Sequence, residues 1–250
     1  MKKLAVSFFA LLLMAGPLYA EVVQTAVVVG AAADYSSGAH SVISVDPVGG
    51  PRTVKNNLVP TESDISVCAY GSHFYRIGRY QMDHVTKFDI NAPETPIWQF
   101  SVLDQGEDSA NPHDMVFAGP DKAYILRYGS KTAWIVNPST TTEEGFKIGS
   151  IDLSAYDDGD GSPEMHSGVV VNDKLFVTLQ QWDRSGGYGN WILNEAWLVV
   201  IDTATDTEMD TGKGNGTLKG IPLPARNPQS IQYIAENNTI YIQCAGDIST

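Results

Sequence analysis

The chain has few basic residues and very little cysteine. Its 16 lysines and arginines face 29 aspartates and glutamates, which gives a formal net charge of −13 over 250 residues. Such a chain repels phosphate backbones, and no basic cluster offsets the repulsion, so the composition disfavours a nucleic-acid partner. With only Cys68 and Cys244, the fold cannot depend on a disulfide framework and must depend on its core.

The amino-terminal apolar run is short for a membrane span. Lys2 and Lys3 precede an apolar stretch that ends at Ala15, whereas a spanning helix needs about 20 apolar residues. A positive start, a short apolar run and small residues before the cleavage point are typical of a secretory signal, here residues 1–20. We expect a secreted or periplasmic mature chain, 21–250, with no integral membrane segment after leader cleavage. An uncleaved membrane anchor is the alternative.

Export into an oxidising compartment bears on the two cysteines. A disulfide between Cys68 and Cys244 would close a long loop and stabilise the fold. Cys68 lies in a predicted first strand and Cys244 at the end of a predicted second strand of a different unit. Two buried free thiols, or disulfide partners beyond the end of this sequence, are therefore the alternatives to the bridge.

A repeated pattern organises the rest of the chain. Four stretches share a polar or proline-bearing start, a short β run, a turn and a second β run; they begin near Ser63, Asn111, Ser162 and Asn227. Their spacing of about 50 residues is that of blades in repeat proteins. No segment shows sustained helical periodicity, and alternating β-branched and aromatic runs fill the intervals. The sequence predicts an all-β fold, a β-propeller of four-stranded antiparallel blades, with a sandwich or a solenoid as alternatives.

The predicted units do not add up to an ordinary closed ring. We expect partial blades over 25–61 and 227–250, and complete blades over 62–110, 111–161 and 162–226. Because both ends lack strands, we expect an incomplete ring from a truncated chain. The alternative is a compact four-bladed ring whose last group is completed by the amino-terminal strands.

The third strand of several units ends in a recurring turn. Ile201-Asp202-Thr203-Ala204-Thr205 matches a D-x-x-T turn, and Val136-Asn137-Pro138-Ser139-Thr140 is a looser version. In this feature the chain resembles the YVTN or YncE-like β-propellers of bacterial envelopes, although it has no literal YVTN tetrapeptide. The resemblance implies an exported propeller, often tied to cell-surface binding, and it implies no catalytic residues.

Polar residues recur at the start of the predicted first strands. In a propeller these strands line the central channel, so their first residues gather at one mouth; they are Asp64, His113, Asp114, Glu164, His166 and Gln229. Converging carboxylates, imidazoles and an amide can hold a polar ligand or a hard cation. The alternative is that they cap strand ends and order water.

An acidic, glycine-containing run precedes the third complete blade. Asp157, Asp158 and Asp160 alternate with glycine, and Glu164 follows shortly after. Oxygen ligands on such a loop can converge on Ca²⁺, although the spacing is not that of an EF-hand. The pattern predicts a calcium loop, with a simple inter-blade turn as the alternative.

A glycine-rich insertion carries three aromatic residues. Trp182, Tyr188 and Trp191 lie within it, and aromatic rings on a rim suit stacking against a sugar or a peptide. The alternative is a loop that packs its rings onto the neighbouring blade.

The familiar catalytic motifs are absent from the sequence, including G-x-S-x-G, C-x-x-C and H-E-x-x-H. We therefore expect no catalytic residues and a non-catalytic binding or scaffold propeller at the cell envelope or surface, with an unknown protein or glycan ligand. The alternative is a Ca²⁺-dependent propeller hydrolase or lyase acting on a lactone or polysaccharide.

Overall fold

The computed structural model describes residues 24–45, 50–187 and 189–246. This part of the chain is almost entirely β, and its helical content is two short 3-10 turns, Ser154–Tyr156 and Ala235–Asn237. None of the described helices is long and apolar enough to cross a membrane. The predicted leader, 1–20, lies outside the described residues.

The first three sheets follow one another along the chain. The first consists of β1 (Thr25–Ala31), β2 (Gly38–Ser44) and β3 (Val54–Thr61). The second consists of β4 (Ile65–Tyr70), β5 (His73–Gly78), β6 (His84–Asp89) and β7 (Pro96–Ser101). The third consists of β8 (Pro112–Gly119), β9 (Lys122–Arg127), β10 (Thr132–Val136) and β11 (Lys147–Asp152). Each sheet is antiparallel with its strands in sequence order.

The fourth sheet carries an insertion. It begins with β12 (Met165–Val171) and β13 (Lys174–Leu179), after which β14 (Trp182–Asp183) and β15 (Ile192–Leu193) form a separate small hairpin. The sheet continues with β16 (Trp197–Asp202), against which β17 (Thr207–Glu208) and β18 (Ile221–Pro222) both pair. A final pair consists of β19 (Pro228–Ile234) and β20 (Thr239–Cys244).

Both faces of the third sheet are buried. Along β9, Ala123 and Ile125 belong to the apolar core shared with the second sheet. Tyr124 and Leu126 belong to the core shared with the fourth sheet. The alternation of side chains along a strand thus places one sheet between two neighbours, face to face. Repeated units that bury their faces on one another are what the sequence pattern predicts.

The first strands of successive sheets lie side by side. β1 contacts β4, β4 contacts β8, β8 contacts β12 and β12 contacts β19. A hydrogen bond from Ser66 Oγ of β4 to His113 O of β8, at 3.1 Å, joins two of these first strands. Gln180, which follows β13, also donates from Nε2 to Pro228 O of β19 at 2.8 Å. Sheets stacked face to face, with their first strands gathered along one line, form a β-propeller of four-stranded antiparallel blades, as predicted.

Cys68 and Cys244 are free cysteines in this structure. Cys68 lies in β4, the first strand of the second sheet, and Cys244 ends β20, the second strand of the last pair. Burial raises the pKa of the Cys68 thiol well above its ordinary value. Of the interpretations drawn from the sequence, the structure agrees with free thiols.

Candidate functional site

A β-bulge stands near the start of three successive first strands. In β8, Pro112 pairs with Arg127 and Asp114 with Leu126, so His113 is an extra residue. The same irregularity makes His166 the extra residue of β12 and Gln229 that of β19. A bulge re-aims a side chain relative to the regular alternation. The three bulge residues, His113, His166 and Gln229, all line one cavity.

The residue that follows the second strand is the second recurring position. Arg79, Tyr128 and Gln180 each follow the second strand of their blade. Their N–H groups donate to the carbonyls of Asp64, Asn111 and Glu164 respectively, at 3.0 to 3.1 Å. This hydrogen bond fixes Arg79, Tyr128 and Gln180, which we call the post-strand residues, beside the bulges. They line the same cavity.

A left-handed residue precedes each bulged strand segment. Asn111, Glu164 and Asn227 have φ angles of 45°, 50° and 57°. Asparagine tolerates this conformation better than most residues, which explains the recurring Asn-Pro at the start of the units. For Glu164 this left-handed backbone conformation is strained, because glutamate rarely adopts it. Its buried polar contacts hold the residue in place.

The cavity has a volume of about 390 Å³, which lies within the range of about 300 to 1,000 Å³ of small-molecule pockets. We call it the mouth pocket. It is lined by the bulge residues, the post-strand residues, Asn111, Asn227, Trp182, Arg184 and Trp191. The polar members therefore come from four consecutive units of the repeat, which the propeller brings to one place.

Aromatic and cationic groups form the floor of the mouth pocket. The rings of His113 and Tyr128 stack with centroids 4.0 Å apart and an interplanar angle of 13°. The His166 ring meets His113 edge-on at 5.0 Å. The guanidinium carbon of Arg184 lies 5.4 Å from the centre of the Tyr128 ring, within reach of a cation–π interaction.

Both histidines of the mouth pocket are neutral near pH 7. Burial and the charge of Arg79 lower the pKa of His113 to about 2, and the same two causes lower the pKa of His166 to about 4. Arg79 Nη2 donates to His113 Nε2 at 2.7 Å. We therefore assign the His113 proton to Nδ1 from this geometry.

Three buried polar atoms around the mouth pocket have no hydrogen-bond partner within the described part of the chain. They are His166 Nδ1, Asn111 Oδ1 and Arg79 Nε. Arg79 Nε lies 3.5 Å from Asp64 Oδ1, which is an ion-pair distance but does not satisfy the geometry of a hydrogen bond. Because buried polar atoms are almost always paired, these three atoms mark a place where ordered water or a polar ligand would complete the hydrogen bonding.

Arg184 is anchored to the acidic region behind the pocket. Its Nε lies 3.1 Å from Asp160 Oδ2, and its Nη2 lies 3.1 Å from Glu164 Oε1 and 3.0 Å from Ser162 Oγ. Trp182 N also donates to Glu164, at 2.9 Å. Burial raises the pKa of Glu164 above its usual range. Glu164 therefore positions Arg184 and the start of the inserted β14–β15 hairpin, and it does not line the mouth pocket.

The three predicted aspartates of the acidic loop do lie together. Each of Asp157, Asp158 and Asp160 offers an oxygen within 4.8 Å of the others, whereas Glu164 is not part of that group. Asp157 forms an ion pair with Lys131 at 2.8 Å. Asp158 accepts a hydrogen bond from Asn194, and Asp160 binds Arg184. Oxygen donors suit Ca²⁺, but two of the three carboxylates already face a protein cation.

Two of the three predicted rim aromatics line the mouth pocket. Trp182 and Trp191 lie on either side of the inserted hairpin with ring centroids 5.9 Å apart, edge to face. Trp182 Nε1 also lies 3.4 Å from Asn227 Oδ1 of the next unit. Trp191 is 46% exposed. Tyr188 lies outside the described residues.

Two other predicted mouth residues lie outside the pocket lining. Asp114 follows the bulged His113, so its side chain turns between β8 and β12, where Oδ2 accepts from Gly168 N at 3.1 Å. Desolvation raises the pKa of Asp114 to about 6. Asp64 stands behind Arg79. The sequence therefore predicts where the first strands begin. It does not predict the bulges, which decide which side chains line the mouth pocket.

The post-strand residues Arg79, Tyr128 and Gln180 and the rim residue Arg184 were not predicted. The sequence did contain a signal for the first three, because aligning IGRY, LRYG and TLQQ places them in one column of the repeat. Arg184 lies in the insertion, so no repeat column contains it.

No protein-family model and no curated protein matches the chain. It is similar to the solved structure of streptogramin B lyase, with a TM-score of 0.49 and 11% identity over 86% of this chain and 60% of that one. It is also similar to the glutaminyl cyclase of Myxococcus xanthus, with a TM-score of 0.42 and 9% identity over 88% and 91% of the two chains. Apo AztD from Citrobacter koseri gives a TM-score of 0.43 and 14% identity over 82% and 49%. The chain thus spans less than two thirds of the lyase and of AztD, and these distant likenesses carry no argument about ligand or reaction.

Proposed function

We propose that this chain is a non-catalytic binding propeller whose mouth pocket holds a small polar ligand. The observation that carries the proposal is the convergence of bulge and post-strand residues from consecutive blades on one cavity, with three buried polar atoms left unpaired. Each of these groups is positioned by strands of a rigid sheet, which is how a binding site is preorganised.

The electrostatics favour binding over proton transfer. A general base works best when its pKa lies near the working pH. The pKa values of His113 and His166, about 2 and about 4, make both imidazoles weak bases. Burial also raises the pKa of the Tyr128 hydroxyl above its ordinary value. These groups are suited to donating and accepting hydrogen bonds in fixed protonation states.

The setting of this activity is the cell envelope. The leader-like residues 1–20 and the excess of acidic residues support an exported protein, periplasmic or at the cell surface. The Asp202 carboxylate accepts hydrogen bonds from Ala204 N and Thr205 N at 2.8 and 3.1 Å. This closed turn supports the YVTN or YncE-like assignment, whose D-x-x-T turn occupies the same place.

Ligand binding to the intact protein tests the proposal. The purified chain is screened against glycan and peptide collections, and hits are repeated with H166A and with R52Q. Arg52 lies before β3 and does not line the mouth pocket. The proposal predicts hits that H166A weakens at least tenfold and R52Q leaves unchanged. Hits whose affinity H166A does not weaken, or a screen with no hits, would contradict the proposal.

The second candidate is a Ca²⁺-dependent hydrolase or lyase acting on a lactone or polysaccharide. One observation favours it, namely that Asp157, Asp158 and Asp160 lie within 4.8 Å of one another and adjoin the mouth pocket through Arg184. Calcium would supply an electrophile there. Turnover of lactones or polysaccharides that needs Ca²⁺ and is lost in the H113A/E164Q double variant would support this candidate over the first. The Ca²⁺-dependent enzyme candidate would be rejected if no turnover is measured and Ca²⁺ does not raise the melting temperature.

A further inference from the structure

We infer that the ligand of the mouth pocket is an acidic sugar, with its carboxylate held by arginine and its ring face packed on tryptophan. This inference rests on the proposed function and names the chemical class that the pocket takes. It is drawn from three independent features of the pocket, which are its charges, its unpaired polar atoms and its rim.

The first feature is the pair of guanidinium groups. Arg79 and Arg184 line the same cavity of a chain that has almost twice as many acidic as basic residues. Arg184 is held in place by Asp160 and Glu164, while Arg79 packs against a neutral imidazole, with its nearest carboxylate, Asp64, at 3.5 Å. Arginine binds carboxylates with charge-assisted hydrogen bonds, often through two donors. The positive charge of Arg79 is the least compensated in the pocket, so we assign the ligand carboxylate to it.

The second feature is the chemistry of the unpaired atoms. Arg79 Nε is a donor whose ion-pair partner, Asp64 Oδ1 at 3.5 Å, does not satisfy hydrogen-bond geometry, so this atom can still donate to an acceptor such as a carboxylate oxygen. Asn111 Oδ1 is an acceptor and requires a donor such as a hydroxyl group. His166 Nδ1 is complementary to a second hydroxyl in either tautomer. A ligand that satisfies all three atoms carries an anionic group and hydroxyl groups on one small frame, which a simple fatty or aromatic acid does not.

The third feature is the aromatic rim. Trp182 and Trp191 stand edge to face at 5.9 Å, and both line the cavity. An indole face offers an apolar surface to the C–H face of a sugar ring while the hydroxyl edges stay available for hydrogen bonds. Trp191 is the more exposed ring, so it has the larger area left for a ligand to cover.

The neutral histidines add a pH signature. If imidazolium groups recruited the anion, affinity would rise as pH falls through about 6.5. Because the pKa values of His113 and His166 are about 4 or lower, both rings are neutral in this range and the charge that binds the anion comes from Arg79. The two histidines are therefore expected to add no rise in affinity for an acidic sugar between about pH 7.5 and pH 5, where the sugar carboxylate is ionised.

Calorimetric titration of the full chain tests the inference with three probes. Galacturonate carries the ring and the carboxylate, galactose carries the ring alone, and benzoate carries a carboxylate on a ring without hydroxyl groups. The inference predicts that galacturonate binds at least tenfold more tightly than either of the others. R79Q is expected to reduce galacturonate binding to the level of galactose, and W191A to weaken both sugars. R52Q is the matched loss of charge outside the pocket and is expected to change neither.

Each other result has a defined meaning. Equal binding of galactose and galacturonate would overturn the acidic-sugar inference while leaving the binding propeller intact, and so would tighter binding of benzoate. Galacturonate binding that R79Q does not weaken, in a variant with unchanged melting temperature, would overturn the assignment of Arg79. If R79Q unfolds, R79M removes the same charge with a similarly long side chain and is judged by the same criterion. Failure of all three probes while the glycan and peptide screen gives H166A-sensitive hits would reject the inference alone. Failure of both experiments would reject the proposed function as well.

Discussion

Arg79 and His113 are joined by a 2.7 Å contact between Nη2 and Nε2, although they are 34 residues apart and belong to different blades. Burial keeps the imidazole neutral, and the contact adds to this effect because a second positive charge beside the guanidinium is unfavourable. It also links a post-strand residue of one blade to the bulge residue of the next. This one contact therefore affects the charge state of the mouth pocket and depends on the two blades being neighbours.

Replacing Arg79 is expected to raise the pKa of two histidines. In R79Q the neighbouring positive charge is gone, and Arg79 is a cause of the lowered pKa of both His113 and His166. Histidine signals followed by NMR over a pH titration measure both values. R52Q serves as control, and its histidines are expected to titrate as in the wild type. Unchanged pKa values in R79Q would mean that burial alone keeps the rings neutral.

The close approach of the first strands predicts a cost for a single methyl group. A Cβ on Gly168 of β12 would lie 3.0 Å from Val116 Cγ2 and 3.1 Å from Phe176 O. Overpacking of this kind destabilises by about 1 to 3 kcal/mol. Urea unfolding of G168A measures the loss. In G119A the new Cβ meets nothing within 4 Å, so its free energy of unfolding should change by less than about 1 kcal/mol. Equal behaviour of the two variants would contradict the packing of β8 against β12.

Asp114 predicts a specific pH dependence of stability. Its folded pKa of about 6 lies above the ordinary value of 3.8, so the folded chain holds this proton more tightly than the unfolded chain. The contribution to the free energy of unfolding is then complete below 3.8 and is lost as pH rises through 6, by up to about 3 kcal/mol. D114N removes this titration and should flatten that part of the profile. The exposed Asp121 provides D121N as control, and a D114N profile parallel to the wild type would contradict the assignment.

The state of the cysteines gives a simple check. Both thiols are free, so the purified protein denatured without reductant should take up two alkylating groups. Both thiols are partly buried, but desolvation raises the pKa of Cys68 well above its ordinary value, so in the native state Cys244, at the end of β20, is expected to react first. Intact-mass measurement before and after alkylation decides this. A mass lower by two hydrogens with no alkylation would show that the bridge exists.

The fold was predictable from the sequence to a greater extent than the site. The repeated β runs predict stacked four-stranded sheets, because a unit of that size has two apolar faces to bury. β9 is an example, with Ala123 and Tyr124 on opposite faces of the sheet. The mouth residues depended on finer features. His113 and His166 face the pocket only because one extra residue shifts the register, and a register shift leaves no mark in hydrophobic alternation.

The roles of the charged residues were also beyond the sequence pattern. Glu164 has the chemistry of a metal ligand, but its left-handed backbone turns it toward Ser162 and Arg184. Arg184 comes from an insertion that no other blade shares. Pairing between an insertion and a strand start depends on the three-dimensional path of the loop, so residue types and spacing cannot give it.

The most direct test of the account follows the five histidines by NMR while galacturonate is added. His113 and His166 belong to the mouth pocket, whereas His40 is buried against Phe74 and Phe88 and His73 and His84 lie in the second sheet. The account predicts that the signals of His113 and His166 move together, with one dissociation constant, while those of the other three stay in place. Movement confined to the other histidines, or no movement of His113 and His166 at saturation, would contradict it.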